Sequence, residues 1–311
     1  MHIKILGSAA GGGFPQWNCA CHNCSRLRSG TLHASSRTQT QIAFSPDSQN
    51  WFLVGASPDL RSQIIATPDL SPQNNPAARS PIAGVFLPSA DVDAVAGLLH
   101  LREFHTFFIF STAAVQKILK KENRIFRVLE RSTPPVLWQT LASKGRLGCH
   151  LSESPSDAPS FVCATIPLGG EYPDYVGDEL LRTLSADEPS TGFIFEQNGK
   201  SIFIAPSLSG RHPEWAKYAA SADLVLIDGT FWSDDELIKT GRSQKSARAM
   251  GHLPLSGPDG LLEQFPADAA GRRILIHINN TNPILDEDSP EHRAVLDAGF
   301  EIAYDGMEFE L

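Results

Sequence analysis

The chain has 311 residues, of which 41% are hydrophobic, so it can build one large domain or two modest ones. Its net charge of −9 at pH 7 argues against a nucleic-acid partner, because no basic run offsets it. No apolar run is long enough to span a bilayer, and the N-terminal residues lack the long apolar segment of a signal peptide. The composition therefore predicts a soluble protein without a membrane or nucleic-acid partner.

The first half of the chain alternates strand and helix signals. A strand over residues 2–8 leads into a glycine-rich loop at 9–13, where glycine lets the backbone turn sharply. The elements predicted next are a hairpin of strands 39–45 and 51–57, a helix over 58–66 capped by Ser57, a strand over 82–88, a helix over 91–104 and a strand over 106–110. The apolar side of the second helix consists of Val92, Val95, Leu98, Leu99 and Leu101.

The second half begins with a segment at 152–190 that is rich in Pro, Ser, Asp and Gly, which predicts irregular structure around one short strand. Asn198-Gly199 is a strong hairpin signal. The strands predicted in this half lie at 161–166, 192–196, 201–205, 224–227 and 274–278. We therefore predict a single α/β domain over residues 1–311, built from two strand-rich halves with helices outside.

The most informative motif is a cluster of three thiols, Cys19, Cys21 and Cys24, with the spacing CxCxxC in the loop at 19–24. Tetrahedral zinc takes such thiolates with a fourth ligand from elsewhere, whereas disulfides between cysteines so close in sequence are strained. The motif predicts a structural zinc site, since four protein ligands leave no open position. Three reduced thiols without a metal are the alternative. Either reading places the chain in a reducing compartment, the cytoplasm.

A second group of polar residues lies where predicted strands end. Asp91, Asp93 and Asp228 come directly after apolar strands. His277 lies inside a predicted strand, and His252 occupies a Gly-His-Leu-Pro loop. Loops at strand ends are common places for functional sites. A set of imidazole and carboxylate ligands with open positions suits non-heme iron or a similar divalent metal.

Each of these residues also has a structural explanation. Asp91 and Asp93 sit where a helix starts, so capping or the helix dipole accounts for them without a metal. Asp228 before a glycine is typical of an Asx-turn, and His252 could be an exposed loop residue. His277 is the hardest to explain structurally, because an imidazole in an apolar strand needs a polar partner. From the spacing alone, the presence and the absence of a second metal site are equally well supported.

Five sequence blocks carry a resemblance to a known family. They are GSAAGGGFPQWNC at 7–19, ASPD at 56–59, DGTFW at 228–232, MGHLPLSG at 250–257 and HINNTNPILDEDSP at 277–290. Through them the chain resembles the PqqB family of pyrroloquinoline-quinone (PQQ) biosynthesis proteins, within the metallo-β-lactamase superfamily. The resemblance implies an αββα sandwich, in which two mixed β-sheets pack face to face with helices outside. It also implies that the thiolate zinc is structural and that the protein is a homodimer.

The resemblance further implies where an active-site metal would lie. In the superfamily, one strand-to-helix loop carries HxHxDH, whose imidazoles and aspartate hold one or two metals. This chain reads SADVDA there and ends at Ala94 instead of the last histidine. Only Asp93, with Asp91 beside it, is left as a ligand from this loop. His252, Asp228 and His277 match positions that supply later ligands in the superfamily.

The function implied by the resemblance is a step of PQQ biosynthesis: iron- and O2-dependent hydroxylation of a tyrosine-derived Glu–Tyr intermediate, a small-molecule PQQ precursor. Asp93, His252 and His277 would ligate Fe(II), and Asp228 would be a ligand or an orienting carboxylate. A metal-dependent hydrolase and a non-catalytic carrier of PQQ or its precursor are the alternatives. Ala94 counts against the hydrolase, which needs a metal hydroxide held by several imidazoles, and it counts for the carrier.

Overall fold

A computed structural model describes residues 1–72, 80–103, 105–131, 135–151 and 160–311. The predicted helix end at residue 104 and part of the predicted irregular segment, 152–159, lie outside the described residues. The described strands are β1 (His2–Gly7), β2 (Gln41–Ser45), β3 (Trp51–Val54), β4 (Ile82–Phe86), β5 (Phe108–Thr112), β6 (Leu137–Leu141), β7 (Gly145–Cys149), β8 (Phe161–Pro167), β9 (Thr191–Gln197), β10 (Lys200–Ala205), β11 (Leu224–Asp228), β12 (Arg272–Ile276), β13 (Glu301–Ile302) and β14 (Met307–Glu310).

Short helices connect the strands. The described α-helices are α1 (His22–Arg28), α2 (Leu60–Ala66), α3 (Val92–Val95), α4 (Ala113–Lys121), α5 (Asp178–Leu181), α6 (Glu214–Ser221), α7 (Glu236–Lys239), α8 (Leu261–Gln264) and α9 (Pro290–Asp297). The described 3-10 helices are Pro68–Leu70, Ala96–Arg102, Arg124–Val128, Arg248–Met250 and Pro283–Leu285. In the part of the chain that the structure describes, no helix combines the length and apolar character needed to cross a membrane.

The strands form two mixed sheets with matching arrangements. The first has the order β14-β1-β2-β3-β4-β5-β6 and the second the order β13-β12-β11-β10-β9-β8-β7. In each sheet, antiparallel pairs at one end give way to parallel pairs at the other, beginning at β3-β4 and β10-β11. Neighbouring parallel strands end at the same sheet edge, so the loops that follow β11 and β12 can build a common site. The loop that follows β4, in the other sheet, lies close to them, because Asp93 contacts His277.

The two sheets pack face to face around an aromatic core. Phe44 and Phe86 of the first sheet contact Phe195 of the second, with ring centroids 4.2 and 4.9 Å apart. Two further apolar clusters lie on the outer faces, where Ile118 of α4 packs under the first sheet and Trp215 of α6 under the second. The layers are therefore helix, sheet, sheet, helix, which confirms the predicted αββα sandwich.

The predicted helix after β4 is shorter and less regular than expected. Only α3 is α-helical; the 3-10 helix Ala96–Arg102 follows, and Val92, assigned to the apolar side, is 60% exposed. Gly97 lies very close to another loop: its N–H donates to Ala56 O at 2.8 Å, and a Cβ there would lie 2.2 Å from the Ser57 carbonyl oxygen. This tertiary contact, rather than the local apolar pattern, sets the shape of the segment.

The N-terminal end of α2 also differs from the prediction. The helix begins at Leu60 with Asp59 in the N-cap position, and Ser57 does not cap it. The Ser57 hydroxyl instead donates to Gln63 Oε1 at 2.8 Å, inside the protein. Ser57 is fully buried, so its polar atoms need partners from neighbouring segments rather than from the helix end.

Candidate functional site

The predicted site residues meet at one edge of the sheets. Asp91 and Asp93 follow β4, and Asp228 ends β11. His277 comes directly after β12, which is parallel to β11, so the ends of these two strands lie side by side. Asp91, Asp93, His252 and His277 line one cavity of about 420 Å³. The structure thus brings the predicted residues together, and their role as metal ligands stays a prediction.

His277 does not lie inside a strand, as the sequence suggested, because β12 ends one residue earlier. Its φ is +58°, a left-handed conformation that few non-glycine residues adopt. The next residue, Ile278, pairs with the loop after β1: its N–H donates to Ser8 O at 3.0 Å and its carbonyl accepts from Ala10 N–H at 2.9 Å. The turn leaves His277 Nε2 3.1 Å from Asp93 Oδ2 at the cavity.

Each imidazole is held at Nδ1 by a neighbouring side chain. His252 Nδ1 lies 2.7 Å from Asp228 Oδ2, and His277 Nδ1 lies 2.8 Å from Thr230 Oγ1. The two rings stack, with centroids 5.4 Å apart and an interplanar angle of 19°. Potential ligand atoms of Asp228, His252 and His277 all lie within 4.8 Å of one another. Because Nδ1 is engaged in both rings, Nε2 is the atom that each offers to a ligand.

Asp228 is the most deeply buried member of the group, with 0% exposure. Its Oδ1 accepts from the Thr230 N–H at 2.9 Å and from the Thr230 hydroxyl at 2.6 Å. Its Oδ2 accepts from Leu208 N–H at 2.8 Å and faces His252. Burial would raise the pKa of Asp228, but the charge and hydrogen bond of His252 hold that pKa below its ordinary value. An Asx-turn is therefore present, as the alternative predicted, but it is only part of what this carboxylate does.

Asp93 and His277 form an ion pair at the cavity wall. Burial would raise the pKa of Asp93, but the hydrogen bond and charge of His277 hold it below its ordinary value. Burial would lower the pKa of His277, but the hydrogen bond and charge of Asp93 raise it above its ordinary value. The contact between the two side chains therefore favours the ionised carboxylate and the protonated imidazole, and a cation that binds Nε2 takes the place of its proton.

Asp91 contributes a different carboxyl group to the same wall. It occupies the N-cap position of α3 but its side chain makes no capping hydrogen bond, so the capping explanation is wrong. Its Oδ2 accepts from the Ser89 hydroxyl at 2.7 Å. Burial and the neighbouring charge of Asp93 raise its pKa. Ala94, which replaces a superfamily histidine, lines the cavity as well, so this wall offers two carboxyl groups and no imidazole.

The three predicted zinc-binding thiols also converge. The Sγ atoms of Cys19, Cys21 and Cys24 lie within 4.8 Å of one another, and all three cysteines are free. The Asn280 amide nitrogen lies 3.0, 3.5 and 3.4 Å from these sulfurs in turn. An amide nitrogen carries two hydrogens and cannot donate to three sulfurs. Rotating the amide by 180° puts Oδ1 in the same place, next to all three sulfurs.

A single loop connects the thiols with the cavity. It begins at His277, and Asn279 lines the cavity beside it. Asn280 contacts the sulfurs, and the buried Asn282 amide donates to Gly229 O at 2.9 Å and to Thr230 O at 3.2 Å. Sequence reasoning placed this segment in a family block without assigning roles to its asparagines. Their roles depend on contacts with distant segments, which no local pattern indicates.

Glu236 is a further buried group near this loop that the sequence analysis missed. It is 7% exposed, its Oε2 accepts from Trp232 N–H at 2.7 Å, and its Oε1 accepts from the Thr281 hydroxyl. Burial raises the pKa of Glu236 to about 7. A glutamate in the first turn of α7 is ordinary helix chemistry, so nothing in the sequence marks it as buried.

We expect Glu236→Gln to make the protein more stable than the parent above pH 7. The native pKa of about 7 exceeds the ordinary 4.5, so the native state binds this proton more tightly than the unfolded state does. The stabilisation from Glu236 is therefore complete below about pH 4.5 and is lost as pH rises to about 7. Over this pH range the contribution of Glu236 to the free energy of unfolding falls by roughly 3 kcal/mol.

Urea unfolding of the parent and the variant at pH 5 and pH 8 measures this difference. The matched control is Glu263→Gln, an exposed glutamate on α8. The free energy of unfolding should fall between pH 5 and pH 8 by less in the Glu236→Gln variant than in the parent. Parallel pH profiles for all three proteins would show that Glu236 is ionised throughout and would contradict the prediction.

Comparison with known proteins agrees with the sequence blocks and the fold. The family model described as "Beta-lactamase superfamily domain" matches residues 50–278. "Coenzyme PQQ synthesis protein B" of Azoarcus sp. (strain BH72) is 41% identical over 322 residues and covers 100% of both chains. The protein of the same name from Cupriavidus necator is 42% identical and covers 99% of both chains. These matches confirm the family resemblance predicted from the sequence.

Solved structures support the same relationship. Zn(2+)-bound PqqB from Methylobacterium extorquens has a TM-score of 0.88 and 37% sequence identity to this chain, with 100% of both chains covered. A diphosphatase from the PhnP family has a TM-score of 0.66 at 15% identity over 100% of this chain and 97% of the other. At that identity the second match shows the fold alone.

Proposed function

The chain belongs to the coenzyme PQQ synthesis protein B family of the β-lactamase superfamily, and we propose that it carries out an iron- and O2-dependent hydroxylation in PQQ biosynthesis. The proposed substrate is a tyrosine-derived Glu–Tyr precursor. One observation carries the proposal: two imidazoles and one carboxylate, from His252, His277 and Asp93, converge on a single cavity.

The donor set fits Fe(II) better than a pair of zinc ions. Both imidazoles have Nδ1 engaged and offer Nε2, and Asp93 supplies an ionised carboxylate beside them. Two histidines and one carboxylate are the ligand set of many non-heme Fe(II) oxygenases, and they leave positions open for other ligands. Bound Fe(II) would supply the activation of dioxygen. One oxygen atom would enter an aromatic C–H bond, and the other would be reduced to water with two electrons from an external reductant and two protons from solvent.

The remaining walls of the cavity suit an aromatic substrate. Phe231, Leu237 and Met250 line it together with several prolines. Phe231 also packs edge-on against the His252 ring, with centroids 5.7 Å apart. Apolar and aromatic side chains of this kind bury a phenol ring and exclude water around it. The protein's own contribution would be to hold the ring beside the Nε2 atoms.

One observation weighs against the hydrolase. A hydrolase of this superfamily needs a hydroxide held by several imidazoles, and the wall formed by Asp91, Asp93 and Ala94 offers none. Metal content and turnover distinguish the hydroxylase from the carrier.

We further propose that the thiol cluster holds a structural zinc, with Asn280 Oδ1 as its fourth ligand. In a tetrahedral site with Zn–S bonds near 2.3 Å and a Zn–O bond near 2.1 Å, the oxygen lies about 3.6 Å from each sulfur. The Asn280 amide atom lies 3.0 to 3.5 Å from the three sulfurs. Small outward shifts of the thiols would therefore suffice to place zinc between them.

The function is tested with protein purified without oxygen and loaded with Fe(II). We expect one zinc and one iron per chain. On addition of dioxygen and a reductant, the Glu–Tyr precursor should gain one oxygen atom from 18O2, measured by mass spectrometry. One zinc, no iron and tight binding of unchanged substrate would favour the carrier. Two zinc ions in the cavity with release of a hydrolysis product would favour the hydrolase.

We expect Ala94→His to tighten metal binding in the cavity. Ala94 lines the cavity one residue after Asp93, so a histidine there adds an imidazole next to an existing ligand. An added ligand should increase Fe(II) affinity by at least the ~10-fold scale of supporting-residue effects. Calorimetric titration measures the Fe(II) affinity, and Ala94→Phe is the control that fills the space without a donor atom. Equal affinities for all three proteins would mean that this loop holds no metal.

A further inference from the structure

We propose that Thr230 is a positioning residue that, together with Asp228, holds both metal-facing imidazoles with the proton on Nδ1. The proposal rests on the proposed function, because it concerns how the same cavity prepares its ligands. It assigns Asp228 to orientation and leaves Asp93, His252 and His277 as the ligands of the metal.

The single proton of the Thr230 hydroxyl determines the direction of its hydrogen bonds. Its Oγ1 lies 2.6 Å from Asp228 Oδ1, 2.8 Å from the His277 carbonyl oxygen and 2.8 Å from His277 Nδ1. A hydroxyl has one proton to donate and two lone pairs that accept. The two oxygens can only accept, so the single proton of Thr230 lies between them as one shared hydrogen bond, and the lone pairs of Oγ1 are left to accept from His277 Nδ1. His277 is therefore protonated on Nδ1 and presents Nε2 to the metal.

Asp228 also holds the His252 imidazole, and here the contact is direct. His252 Nδ1 lies 2.7 Å from Asp228 Oδ2, which can only accept from it. Asp228 thus contacts one ring directly and the other through Thr230. Metal-bound histidines commonly donate their second N–H to an oxygen in this manner, which fixes the tautomer and the ring orientation.

The fold explains why one residue can act on both strands. Asp228 pairs with Ile276 in the parallel register of β11 and β12, so Thr230, two residues beyond β11, lies beside His277. Asn279 N–H donates to Thr230 O at 3.1 Å and closes the turn that holds His277 in its left-handed conformation. The Thr230 side chain is 2% exposed, so water cannot readily take the place of its hydroxyl.

The hydrogen bonds of Asp228 exclude it as a ligand in this arrangement. Its two oxygens are engaged by the Thr230 N–H, the Thr230 hydroxyl, Leu208 N–H and His252 Nδ1. These four contacts use the acceptor positions of a carboxylate. To bind a metal, Asp228 would have to break contacts in a site with 0% exposure. In this proposal Asp228 therefore orients the imidazoles and does not bind the metal itself.

The test compares Thr230→Val, which removes the hydroxyl at nearly constant volume, with Thr230→Ser, which keeps it. Zinc affinity at the cavity is measured by chelator competition, and zinc-loaded protein with 15N-labelled histidine is examined by NMR. The parent should show Nδ1–H signals for both His252 and His277. Thr230→Val should move the His277 Nδ1–H signal upfield, because its hydrogen-bond acceptor is gone, leave the His252 signal unchanged and bind zinc about 10- to 100-fold more weakly.

Thr230→Ser should restore the parent shift of this signal and bring the affinity within a few-fold of the parent. Thr165→Val is the matched control, because the Thr165 hydroxyl is equally buried and donates to Ala142 O at 2.7 Å, on β8 and away from the cavity. It should leave both signals and the zinc affinity unchanged. A parent-like shift of the His277 Nδ1–H signal in Thr230→Val, or parent-like zinc affinity in that variant, would overturn the proposal.

These measurements do not depend on turnover. If no hydroxylation is found but the His277 signal responds to the hydroxyl as described, the proposed function fails and the role of Thr230 stands. If Thr230→Val does not fold, Asp228→Asn gives the same answer, because loss of the carboxylate should move the Nδ1–H signals of both rings upfield. Parent-like shifts for both signals in that variant would overturn the proposal.

Discussion

Replacing His277 with alanine is expected to empty the cavity of metal while leaving the thiolate zinc in place. His277 supplies one of two imidazoles in the proposed ligand set, and its Nε2 lies 3.1 Å from Asp93 Oδ2. Without it, one imidazole and a carboxylate are left to hold Fe(II). The affinity should fall by more than the ~100-fold that supporting residues contribute, and hydroxylation should become undetectable.

Metal analysis of anaerobically loaded protein, together with the 18O2 assay, measures this result. The matched control is His33→Ala, because the His33 side chain is 63% exposed and pairs only with surface carboxylates in the structure. We expect one zinc without iron for His277→Ala, and one zinc with one iron for the parent and the control. A His277→Ala variant that keeps its iron would remove this residue from the ligand set.

Much of the fold and part of the site could be predicted from sequence, and the reason is visible in particular residues. Cys19, Cys21 and Cys24 are close in sequence, so their spacing alone indicates a common ligand. The two sheets follow from apolar runs whose lengths suit buried strands, such as the run that became β11. Family blocks added the sandwich, which local patterns do not specify.

The errors have a common physical origin in contacts between distant segments. The helix after β4 is irregular because Gly97 presses against the Ala56 backbone. β12 ends before His277 because Ile278, the residue after His277, pairs with Ala9 in the loop after β1. Neither contact leaves a local sequence signal. Thr230 and Asn280 were missed for the same reason, since their partners lie 47 and about 260 residues away along the chain.

The connection between the two candidate metal sites follows from these distant contacts. The loop from His277 to Asn282 contacts the cavity at one end and the Thr230 backbone at the other, and Asn280 reaches the sulfurs in between. A metal that fixes Asn280 therefore restricts a segment whose first residue faces the cavity. We therefore expect the thiolate site to influence the cavity as well as local stability.

Cys24→Ala is expected to release the structural zinc and to lower the melting temperature by roughly 10 °C, because metal binding at such sites contributes directly to folding. Cys24 is 0% exposed, and Asn280 lies 3.4 Å from its sulfur. The variant should also bind Fe(II) in the cavity more weakly than the parent, since the loop that carries His277 loses its anchor. We further expect the proposed homodimer to weaken, which light scattering after size exclusion measures.

Cys163→Ala is the matched control for this variant. Cys163 is equally buried, but it lies on β8 in the core between the sheets, away from the thiol cluster. It should keep its zinc and its iron affinity and lose only the modest stability expected for a small core change. If Cys24→Ala retains zinc after dialysis against a chelator, the cluster is a set of reduced thiols. If zinc is lost but iron affinity is unchanged, the loop does not couple the two sites, and the thiolate zinc stabilises the fold alone.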